Sequence, residues 1–259
     1  MKVVILAGGY GTRIGEETVN RPKPMIEIGG KPILWHIMKL YSYYGYNEFI
    51  ICAGYKQNVI KEYFANYFLY NSDVTFDFTK ENKLIIHNNK VENWKVTIVD
   101  TGIDTLTGGR VKRIKDYIDG DDFFLTYGDG VSDVNIKKLY EYHKKSNKKL
   151  TLTTVQPGNR FGSIIFDENG EIERFSEKKI EDGGWINGGF MVASKEIFEH
   201  ISDDTTVLEK EPFEYFSENN EMGAFKHKGF WQCMDTLRDK TMLENMINEN
   251  NAPWMIWQK

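Results

Sequence analysis

The stretch VVILAGGYGTRI, residues 3–14, constrains the fold of this chain more than any other segment. Its β-branched and aliphatic start predicts a buried strand, and the glycines that follow require a sharp turn or a close approach by another group. Backbone N–H groups in such a turn form a concavity that binds anions, and the guanidinium of Arg13 adds paired donors for phosphate oxygens. The stretch therefore indicates a phosphate-binding loop at the end of a strand.

Two common phosphate loops do not fit this spacing. The dinucleotide pattern G-x-G-x-x-G, started at Gly9, would require glycine where the chain has Ile14, and started at Gly8 it meets Tyr10. The P-loop pattern fails as well, because no Gly-Lys-Ser/Thr follows at the required distance. A nicotinamide-binding loop and a Walker ATPase are therefore excluded. A strand followed by a merely flexible turn stays open for this loop alone, although the nearby RPKPM segment argues against it.

Strand-like and helical patterns alternate through the first half of the chain. This rhythm implies a parallel sheet whose ligand site lies at the carboxyl ends of its strands. The second half is mixed, with a hairpin predicted about Asn169-Gly170. We expect an α/β fold with a Rossmann-like, mixed but mainly parallel sheet flanked by helices. Residues 1–259 read as one domain with two halves, 1–150 and 151–259.

The same patterns predict individual elements. Helices are expected over KPILWHIMKLYSYYG, which Gly45 would end, and over VIKEYFANYF, TGGRVKRIKDYI and VNIKKLYEYHKK, the last with Asp133 as N-cap. Further helices are expected at about 209–220 and 236–250. Strands are expected over EFIICAG, DDFFLTYGDG, LTLTTVQ and WINGGFMVA, and residues 73–100 read as extended segments around a turn.

Composition limits the class of function. The net charge of −5 argues against nucleic-acid binding, which favours a basic patch. No apolar stretch approaches the roughly 20 residues of a membrane span, and the N-terminus enters a strand without the regions of a signal peptide. Cys52 and Cys233 show no partner spacing and read as reduced thiols. We therefore expect a cytoplasmic protein.

Charged residues collect at the predicted strand ends. Lys23 lies between two prolines in RPKPM, which we expect to hold its backbone extended, although a loop lysine could simply be solvated. Asp129 lies between two glycines after a strand, a position suited either to a turn or to Mg²⁺, which takes carboxylate and phosphate oxygens with water. Asp235 precedes a predicted helix, where it could instead be an N-cap. The sequence alone does not show whether the two acids meet.

Three further polar positions have simple alternatives. Glu177 and Lys178 end a predicted hairpin strand, where they could be a solvated charge pair. Asn187 adjoins two glycines, which could merely ease strand packing. The histidines are scattered, without cysteine or glutamate at metal spacing, and read as surface or packing residues.

Six motifs in this order carry a resemblance to a known family: LAGGYGTR, RPKPM, YGDG, FSEK, INGGF and MDT. They resemble those of the sugar-1-phosphate nucleotidyltransferases over nearly the whole chain, and the first matches the family's L-A-G-G-x-G-T-R letter for letter. The resemblance implies the nucleotide-diphospho-sugar transferase type of the α/β fold. One position departs from the family, since Lys179 stands where members commonly carry proline after Glu-Lys, so the backbone around Lys178 lacks that restraint.

The resemblance also implies a reaction, in which CTP and α-D-glucose 1-phosphate give CDP-glucose and pyrophosphate. The sugar-phosphate oxygen would attack the α-phosphorus in line, so that positioning and charge neutralisation supply the catalysis. Mg²⁺ is the implied cofactor, and surface-polysaccharide synthesis is the implied purpose. The implied assembly is a homo-oligomer, with a hexamer among the options, and the aromatic-rich extended stretch 63–99 could supply an interface. Two alternatives stay open: a sibling transferase for another nucleotide or phosphorylated substrate, and a nucleotide-sugar sensor without turnover.

The resemblance assigns roles to matching positions. Arg13, Lys23 and Asp129 are the implied catalytic residues, with Arg13 on the leaving phosphates and Lys23 at the α-phosphate, and Asp129 and Asp235 are the implied Mg²⁺ ligands. Arg110 is expected to donate to cytosine, behind two glycines that admit a flat ring, or else to be a solvated residue that begins a basic helix. The half 1–150 would bind the nucleotide through Leu6, Ala7, Gly8, Gly9, Gly11, Thr12, Arg13, Lys23, Thr105, Arg110 and Asp129, and the half 151–259 the sugar phosphate through Glu177, Lys178 and Asn187.

Overall fold

A computed structural model describes residues 1–79, 82–88, 90–156, 163–166, 172–176 and 184–258 of the chain. Its strands are β1 (Val3–Ala7), β2 (Glu27–Ile28), β3 (Lys31–Pro32), β4 (Glu48–Ala53), β5 (Asp73–Asp77), β6 (Lys83–His87), β7 (Lys95–Asp100), β8 (Asp122–Tyr127), β9 (Gly130–Ser132), β10 (Leu150–Val155), β11 (Ser163–Phe166), β12 (Ile172–Ser176), β13 (Ile186–Asn187), β14 (Met191–Ser194), β15 (Met222–Lys226) and β16 (Trp231–Cys233). Its helices are α1 (Ile33–Tyr43), α2 (Gln57–Ala65), α3 (Tyr67–Tyr70), α4 (Thr107–Lys112), α5 (Ile136–Ser146), α6 (Glu211–Glu218) and α7 (Leu237–Asn248). Short 3₁₀ segments cover Thr12–Val19, Lys23–Met25, Lys115–Tyr117, Lys195–His200 and Ile256–Gln258.

Strands from both halves of the chain form one mixed sheet. β8, β1, β4 and β7 lie side by side and run parallel, with Val3 opposite both Phe49 and Phe124. β14 joins β8 antiparallel, and β10 then pairs antiparallel with β14 and β13 and parallel with β15. The predicted mixed, mainly parallel sheet is confirmed. The division of the chain at residue 150 stays a prediction.

β1 is buried on both faces of this sheet. Val3, Ile5 and Ala7 pack into a core with α1, α5 and α7, whereas Val4 and Leu6 pack into a second core with α4 and α6. A strand covered on both faces has no solvent side, which explains why its sequence is a continuous apolar run rather than an alternating one. The glycine loop begins where this strand leaves the two cores.

Two predicted helices show how local signals succeed and fail. α1 is confirmed, and Gly45 follows its end with φ of 88°. For α5 the predicted cap is wrong, because Asn135 rather than Asp133 is the N-cap, and the Asn135 side chain accepts from the Lys138 N–H at 2.9 Å. The Asp133 carboxylate lies 3.0 Å from His227 Nε2 instead, which is a tertiary contact that local sequence does not reveal.

Other predicted segments are modified by tertiary structure. The segment VIKEYFANYF is divided at Asn66 into α2 and α3, and the helix predicted over TGGRVKRIKDYI ends at Lys112 before a 3₁₀ turn. β5 and β6 form an antiparallel ribbon, as the extended reading implied. β11 and β12 also pair antiparallel, while the turn expected at Asn169-Gly170 lies outside the described residues.

The two cysteines are free thiols, Cys52 buried and Cys233 half-buried. Burial raises the pKa of each thiol to about 12, and at Cys233 the nearby Asp235 adds to the effect. Both thiols are therefore protonated at neutral pH, as expected for packing rather than reactive cysteines. Among the helices in the described ranges, none combines the length and apolar character that crossing a membrane would take.

Candidate active site

A cavity of about 470 Å³ opens at the carboxyl ends of β1 and β8. The glycine loop after β1, the segment that leads into α4 and the turn after β8 border it. Every predicted nucleotide-binding residue, from Leu6 to Asp129, lines this cavity, and so does Asp235. This edge is where α/β sheets with parallel strands bind their ligands.

The glycines of the loop differ in what they approach. A Cβ at Gly8 would lie 2.1 Å from Arg110 Nη1, and a Cβ at Gly11 would lie 3.0 Å from Lys23 Cβ. Gly11 also has φ of 66°, which favours glycine. At Gly9, by contrast, no atom of the described residues comes within 4 Å of an added Cβ. Gly8 and Gly11 thus admit two cationic side chains, and Gly9 leaves bare backbone beside the cavity.

Lys23 brings two distant acids together. Its ammonium donates to Asp129 Oδ2 at 2.6 Å and to Asp235 Oδ1 at 2.5 Å, and only 13% of its side chain is exposed. Burial lowers the pKa of Lys23, but the carboxylates of Asp129 and Asp235 outweigh it, so the pKa is raised above its usual value. For Asp235, burial raises the pKa, but the hydrogen bond and charge of Lys23, with a contribution from Arg13, bring it below the usual value. Lys23 and Asp235 are therefore both charged at neutral pH.

A short ladder explains why the two acids meet. Asp129 directly precedes β9, and Asp235 follows β16 by two residues. These strands pair antiparallel with Cys233 opposite Gly130, and the Met234 N–H donates to the Asp129 carbonyl at 2.8 Å. The pairing fixes both carboxylates on the same side of the cavity.

The extended backbone expected at Lys23 is wrong. Lys23–Met25 form a single 3₁₀ turn, in which the Met25 N–H donates to the Pro22 carbonyl at 2.8 Å. Pro24 fits inside this turn, because the N–H at that position has no partner to lose. The prolines therefore restrict Lys23 by closing a turn around it.

The N-cap alternative for Asp235 is also wrong. Thr236 caps α7, and its hydroxyl accepts from the Asp239 N–H at 3.2 Å, while the Asp239 carboxylate accepts from the Thr236 N–H at 2.9 Å. The Asp239 carboxylate also accepts from the Asp235 N–H at 3.1 Å. This reciprocal capping box leaves the Asp235 carboxylate free to face Lys23.

Arg13 lies at the mouth of the cavity. Its side chain is 79% exposed, and its Nη1 lies 3.4 Å from Asp235 Oδ2. It belongs to the 3₁₀ segment Thr12–Val19, which the Tyr55 hydroxyl anchors by donating to the Thr18 carbonyl at 3.2 Å. An exposed guanidinium beside a cavity can bind an incoming anion without first losing a strong partner.

Arg110 lines the cavity but is 95% buried, since its exposed fraction is 5%. Its terminal nitrogens donate to Thr101 Oγ1 at 2.8 Å, to the Gly102 carbonyl at 2.7 Å and to the Ile103 carbonyl at 3.2 Å. Burial lowers the pKa of this guanidinium from its ordinary value. The alternative of a solvated helix residue is therefore wrong. Donation to cytosine stays a prediction, although both terminal nitrogens already hold the loop before α4.

The glycines before Arg110 pack against protein. A Cβ at Gly108 would lie 2.7 Å from the Thr206 carbonyl oxygen, and a Cβ at Gly109 would lie 2.5 Å from Asp204 Cα. The expectation that these glycines admit a flat ring is wrong, because their open sides face the segment before α6.

Asn187 belongs to a second polar group, on the β8 side of the cavity. Its Nδ2 donates to the Tyr127 hydroxyl at 3.1 Å, and that hydroxyl donates to Glu209 Oε1 at 2.7 Å. Sequence reasoning missed both partners. Tyr127 could have been found from its place directly before the GDG turn, whereas no local pattern marks Glu209. Glu177 and Lys178 lie outside the described residues.

Comparison with known sequences bears on this site. Residues 2–239 match the nucleotidyl transferase family. The chain is 53% identical over 259 residues to a glucose-1-phosphate cytidylyltransferase of Salmonella typhi, and the match covers 100% of both proteins. It is 42% identical over 258 residues to a probable glucose-1-phosphate cytidylyltransferase of Bacillus subtilis (strain 168), a match that covers 99% of this chain and 100% of the relative.

Solved structures share the fold. HddC from Yersinia pseudotuberculosis complexed with GMP-PN is 26% identical, with a TM-score of 0.68 over 95% of this chain and 99% of that one. A UDP-glucose pyrophosphorylase complexed with UDP-glucose is 17% identical, with a TM-score of 0.68 over 96% of this chain and 98% of that one. The second likeness shows the fold alone. Together they confirm the predicted fold type.

Proposed function

The chain belongs to the nucleotidyl transferase family, and we propose that it transfers CMP from CTP to α-D-glucose 1-phosphate, giving CDP-glucose and pyrophosphate. The observation that carries the proposal is the convergence of Lys23, Asp129 and Asp235 beside a cavity that the glycine loop borders. The names of the relatives at 53% and 42% identity support the choice of substrates.

In the proposed reaction one phosphorus–oxygen bond forms and one breaks. An oxygen of the sugar phosphate attacks the α-phosphorus of CTP opposite the bridging oxygen to the β-phosphate, and the bond to that oxygen breaks to release pyrophosphate. The nucleophile is already an anion, so the reaction needs no general base. It needs cations that reduce the repulsion between phosphates. Arg13 and Lys23 line the cavity and supply such charge, and no histidine is among the described residues that border it.

Each cation has a distinct proposed role. Arg13, exposed at the cavity mouth, is proposed to bind the β- and γ-phosphates, whose negative charge grows as pyrophosphate leaves. Lys23, held deeper by the two carboxylates, is proposed to stabilise the charge on the α-phosphate. The bare backbone at Gly9 is proposed to let the phosphates approach the loop closely.

The members of this family generally use a divalent metal ion. The residues here fit such an ion, because one oxygen of Asp129 and one of Asp235 already converge on a single positive charge, at 2.6 and 2.5 Å from the Lys23 ammonium. One or two carboxylates, completed by water and phosphate oxygens, are the usual donor set of Mg²⁺. We propose Mg²⁺ with Asp129 and Asp235 as its ligands. Bound there, it would supply charge neutralisation between the nucleotide and the attacking phosphate.

The choice of cytosine requires a partner for each polar atom of the base. Cytosine presents an amino donor at N4 beside acceptors at N3 and O2, whereas uracil presents O4 and N3–H. We propose main-chain carbonyls of the glycine loop as acceptors for N4. Arg110 is proposed to shape the base site by holding the Gly102 and Ile103 carbonyls. An unpaired buried polar group costs about 1–3 kcal/mol, so two mispairings with UTP would give strong discrimination.

A sibling reaction is the second candidate, and one observation favours it. HddC, whose structure holds GMP-PN, shares this fold at 26% identity. The phosphate chemistry is the same for every nucleotide, so the phosphate-binding motif of the loop does not exclude another base. The remaining proposals are sugar-phosphate binding by Glu177, Lys178 and Asn187, homo-oligomeric assembly, a cytoplasmic location and a role in surface-polysaccharide synthesis.

A panel of nucleoside triphosphates against sugar 1-phosphates, with pyrophosphate release as the readout, tests the proposed function. We expect CTP with glucose 1-phosphate to give the highest kcat/KM, with UTP lower by about two decades. Equal use of UTP would contradict the choice of base and leave the family intact. Preference for another sugar phosphate would favour the sibling reaction. Binding without turnover for every pair would favour the sensor.

A further inference from the structure

Glu209 joins the two sides of the cavity from behind. Its Oε1 accepts from the Tyr127 hydroxyl at 2.7 Å, and its Oε2 accepts from the Thr107 hydroxyl at 2.7 Å. Tyr127 is the last residue of β8 and Thr107 is the first residue of α4. Both line the cavity, and Glu209 is not among the described residues that do. Glu209 therefore reaches the cavity through these two partners.

The direction of both hydrogen bonds is determined by further contacts. The Thr107 hydroxyl oxygen accepts from the Leu208 N–H at 2.9 Å, so its own proton goes to Glu209. The Tyr127 hydroxyl oxygen accepts from Asn187 Nδ2 at 3.1 Å, so its proton goes to Glu209 as well. A carboxylate is an acceptor only, and two hydroxyl donors suit its two oxygens.

The backbone attaches Glu209 firmly to one side of the cavity. The Leu106 N–H donates to the Asp204 carbonyl at 2.8 Å, and the Gly108 N–H donates to the Thr206 carbonyl at 3.0 Å. These bonds fasten the start of α4 to the segment that leads to Glu209. The hydrogen bond between Tyr127 and Glu209 then links the start of α4, and the segment that leads to Glu209, to the end of β8.

We propose that Glu209 is a positioning residue that fixes the nucleotide wall relative to the sugar wall. The nucleotide wall is the segment 103–107, and the sugar wall is Tyr127 with Asn187. The assignment of the two walls rests on the proposed function. One carboxylate accepts from both hydroxyls, so its loss removes both side-chain bonds at once, whereas loss of either hydroxyl removes only its own bond.

Four variants separate these effects: Thr107→Val, Tyr127→Phe, Glu209→Ala and Glu209→Gln. We expect Thr107→Val to raise the KM of the nucleotide about tenfold and to change that of the sugar phosphate less than about twofold, with the reverse for Tyr127→Phe. Glu209→Ala should raise both KM values about tenfold. Glu209→Gln should recover part of this loss, because its amide oxygen still accepts from one hydroxyl.

A double variant distinguishes a positioning role of Glu209 from a general structural role. In a protein that already carries Tyr127→Phe, adding Glu209→Ala should raise the sugar-phosphate KM by less than about twofold more, since the bond is already gone. A merely structural role would instead lower kcat and the thermal unfolding midpoint without splitting the two KM values. Glu209→Gln, which keeps the size of the side chain, provides the same comparison if Glu209→Ala does not fold.

The proposal is overturned if Glu209→Gln and Glu209→Ala change neither KM by more than about twofold, or if the effects of Glu209→Ala and Tyr127→Phe on the sugar-phosphate KM simply multiply. All assays use the nucleotide and the sugar phosphate that the wild type uses best. Failure of CTP as a substrate would therefore contradict the proposed function alone, and the comparison of variants would still test Glu209.

Discussion

Lys23 Nζ lies 2.5 Å from Asp235 Oδ1, although 212 positions separate the two residues in the chain. The same ammonium donates to Asp129 at 2.6 Å. Two carboxylates this close would repel each other without a counter-ion, so the lysine holds them converged. The residues proposed for catalysis and for metal binding are thus assembled around one cation.

Replacing the lysine tests this arrangement. Lys23→Met should lower pyrophosphate release about 10²–10³-fold, as for the loss of one donor aimed at a transition-state charge. It should also lower the free energy of unfolding by about 1–3 kcal/mol, because two carboxylates lose a hydrogen-bonded counter-ion. The matched control is Lys144→Met, whose 58% exposed side chain pairs with Asp122 at 3.1 Å and should matter little. Lys23→Met turnover close to that of the control would contradict the assignment.

Two adjacent glycines provide a matched pair. Gly8→Ala would place its Cβ 2.1 Å from Arg110 Nη1, so the guanidinium must move, whereas Gly9→Ala meets no atom of the described residues within 4 Å. We expect Gly8→Ala to lower the thermal unfolding midpoint and to raise the KM of the nucleotide at least about tenfold, the usual scale of a lost charged hydrogen bond. Gly9→Ala should leave the midpoint nearly unchanged. Equal unfolding midpoints for the two variants would contradict this prediction and would show that the loop adjusts to the added methyl group at Gly8.

Arg110→Ala distinguishes holding the loop from reading the base. The guanidinium binds the carbonyls of Gly102 and Ile103, so its loss should loosen the site for every nucleotide. We expect the KM values of CTP and UTP to rise by a similar factor, about tenfold, with their ratio preserved. A collapse of the preference for CTP would instead support direct donation to cytosine, as the sequence first suggested.

His36 gives the folded chain a pH dependence of its own. It is 2% exposed, burial lowers its pKa to about 4, and its Nδ1 accepts from Trp254 Nε1 at 3.3 Å. Between about pH 6.5 and 4 the unfolded chain holds a proton on this histidine that the folded chain lacks. The free energy of unfolding therefore decreases as the pH is lowered, by up to about 3 kcal/mol. His36→Gln removes this titration. Urea unfolding from pH 7 to 4.5 should show the wild type losing stability relative to His36→Gln, and a constant difference would contradict the account.

The sequence predicts features that follow from local patterns or from the parallel order of the strands. The buried run Val3–Ala7, the helix α1 and the grouping of Lys23 with Asp129 at strand ends follow from periodicity, turn residues and the parallel arrangement of strands. The N-cap of α7 does not, because Thr236 and Asp235 are both acceptable caps by residue type, and the reciprocal bond with Asp239 decides between them.

Features that depend on partners distant in the chain cannot be predicted from its local patterns. Arg110 reads equally well as a base-binding or a solvated residue, and only the carbonyls folded around it show that it is buried. Glu209 lies 82 positions from Tyr127, and no periodicity links them. Such hydrogen bonds are set by the packing of whole elements, which single-sequence patterns do not report.

The most direct test of the central claim, that Asp129 and Asp235 serve one catalytic centre for CMP transfer, is the kcat of pyrophosphate release in Asp129→Asn and Asp235→Asn. The kcat of each single variant should be at least about 10²-fold lower than that of the wild type. The kcat of the double variant should be only slightly lower than that of the single variants, because the two groups act as a unit. Asp119→Asn, whose 79% exposed carboxylate pairs with Lys2, serves as the control and should retain activity. Turnover near that of the wild type in both Asp129→Asn and Asp235→Asn would contradict the claim.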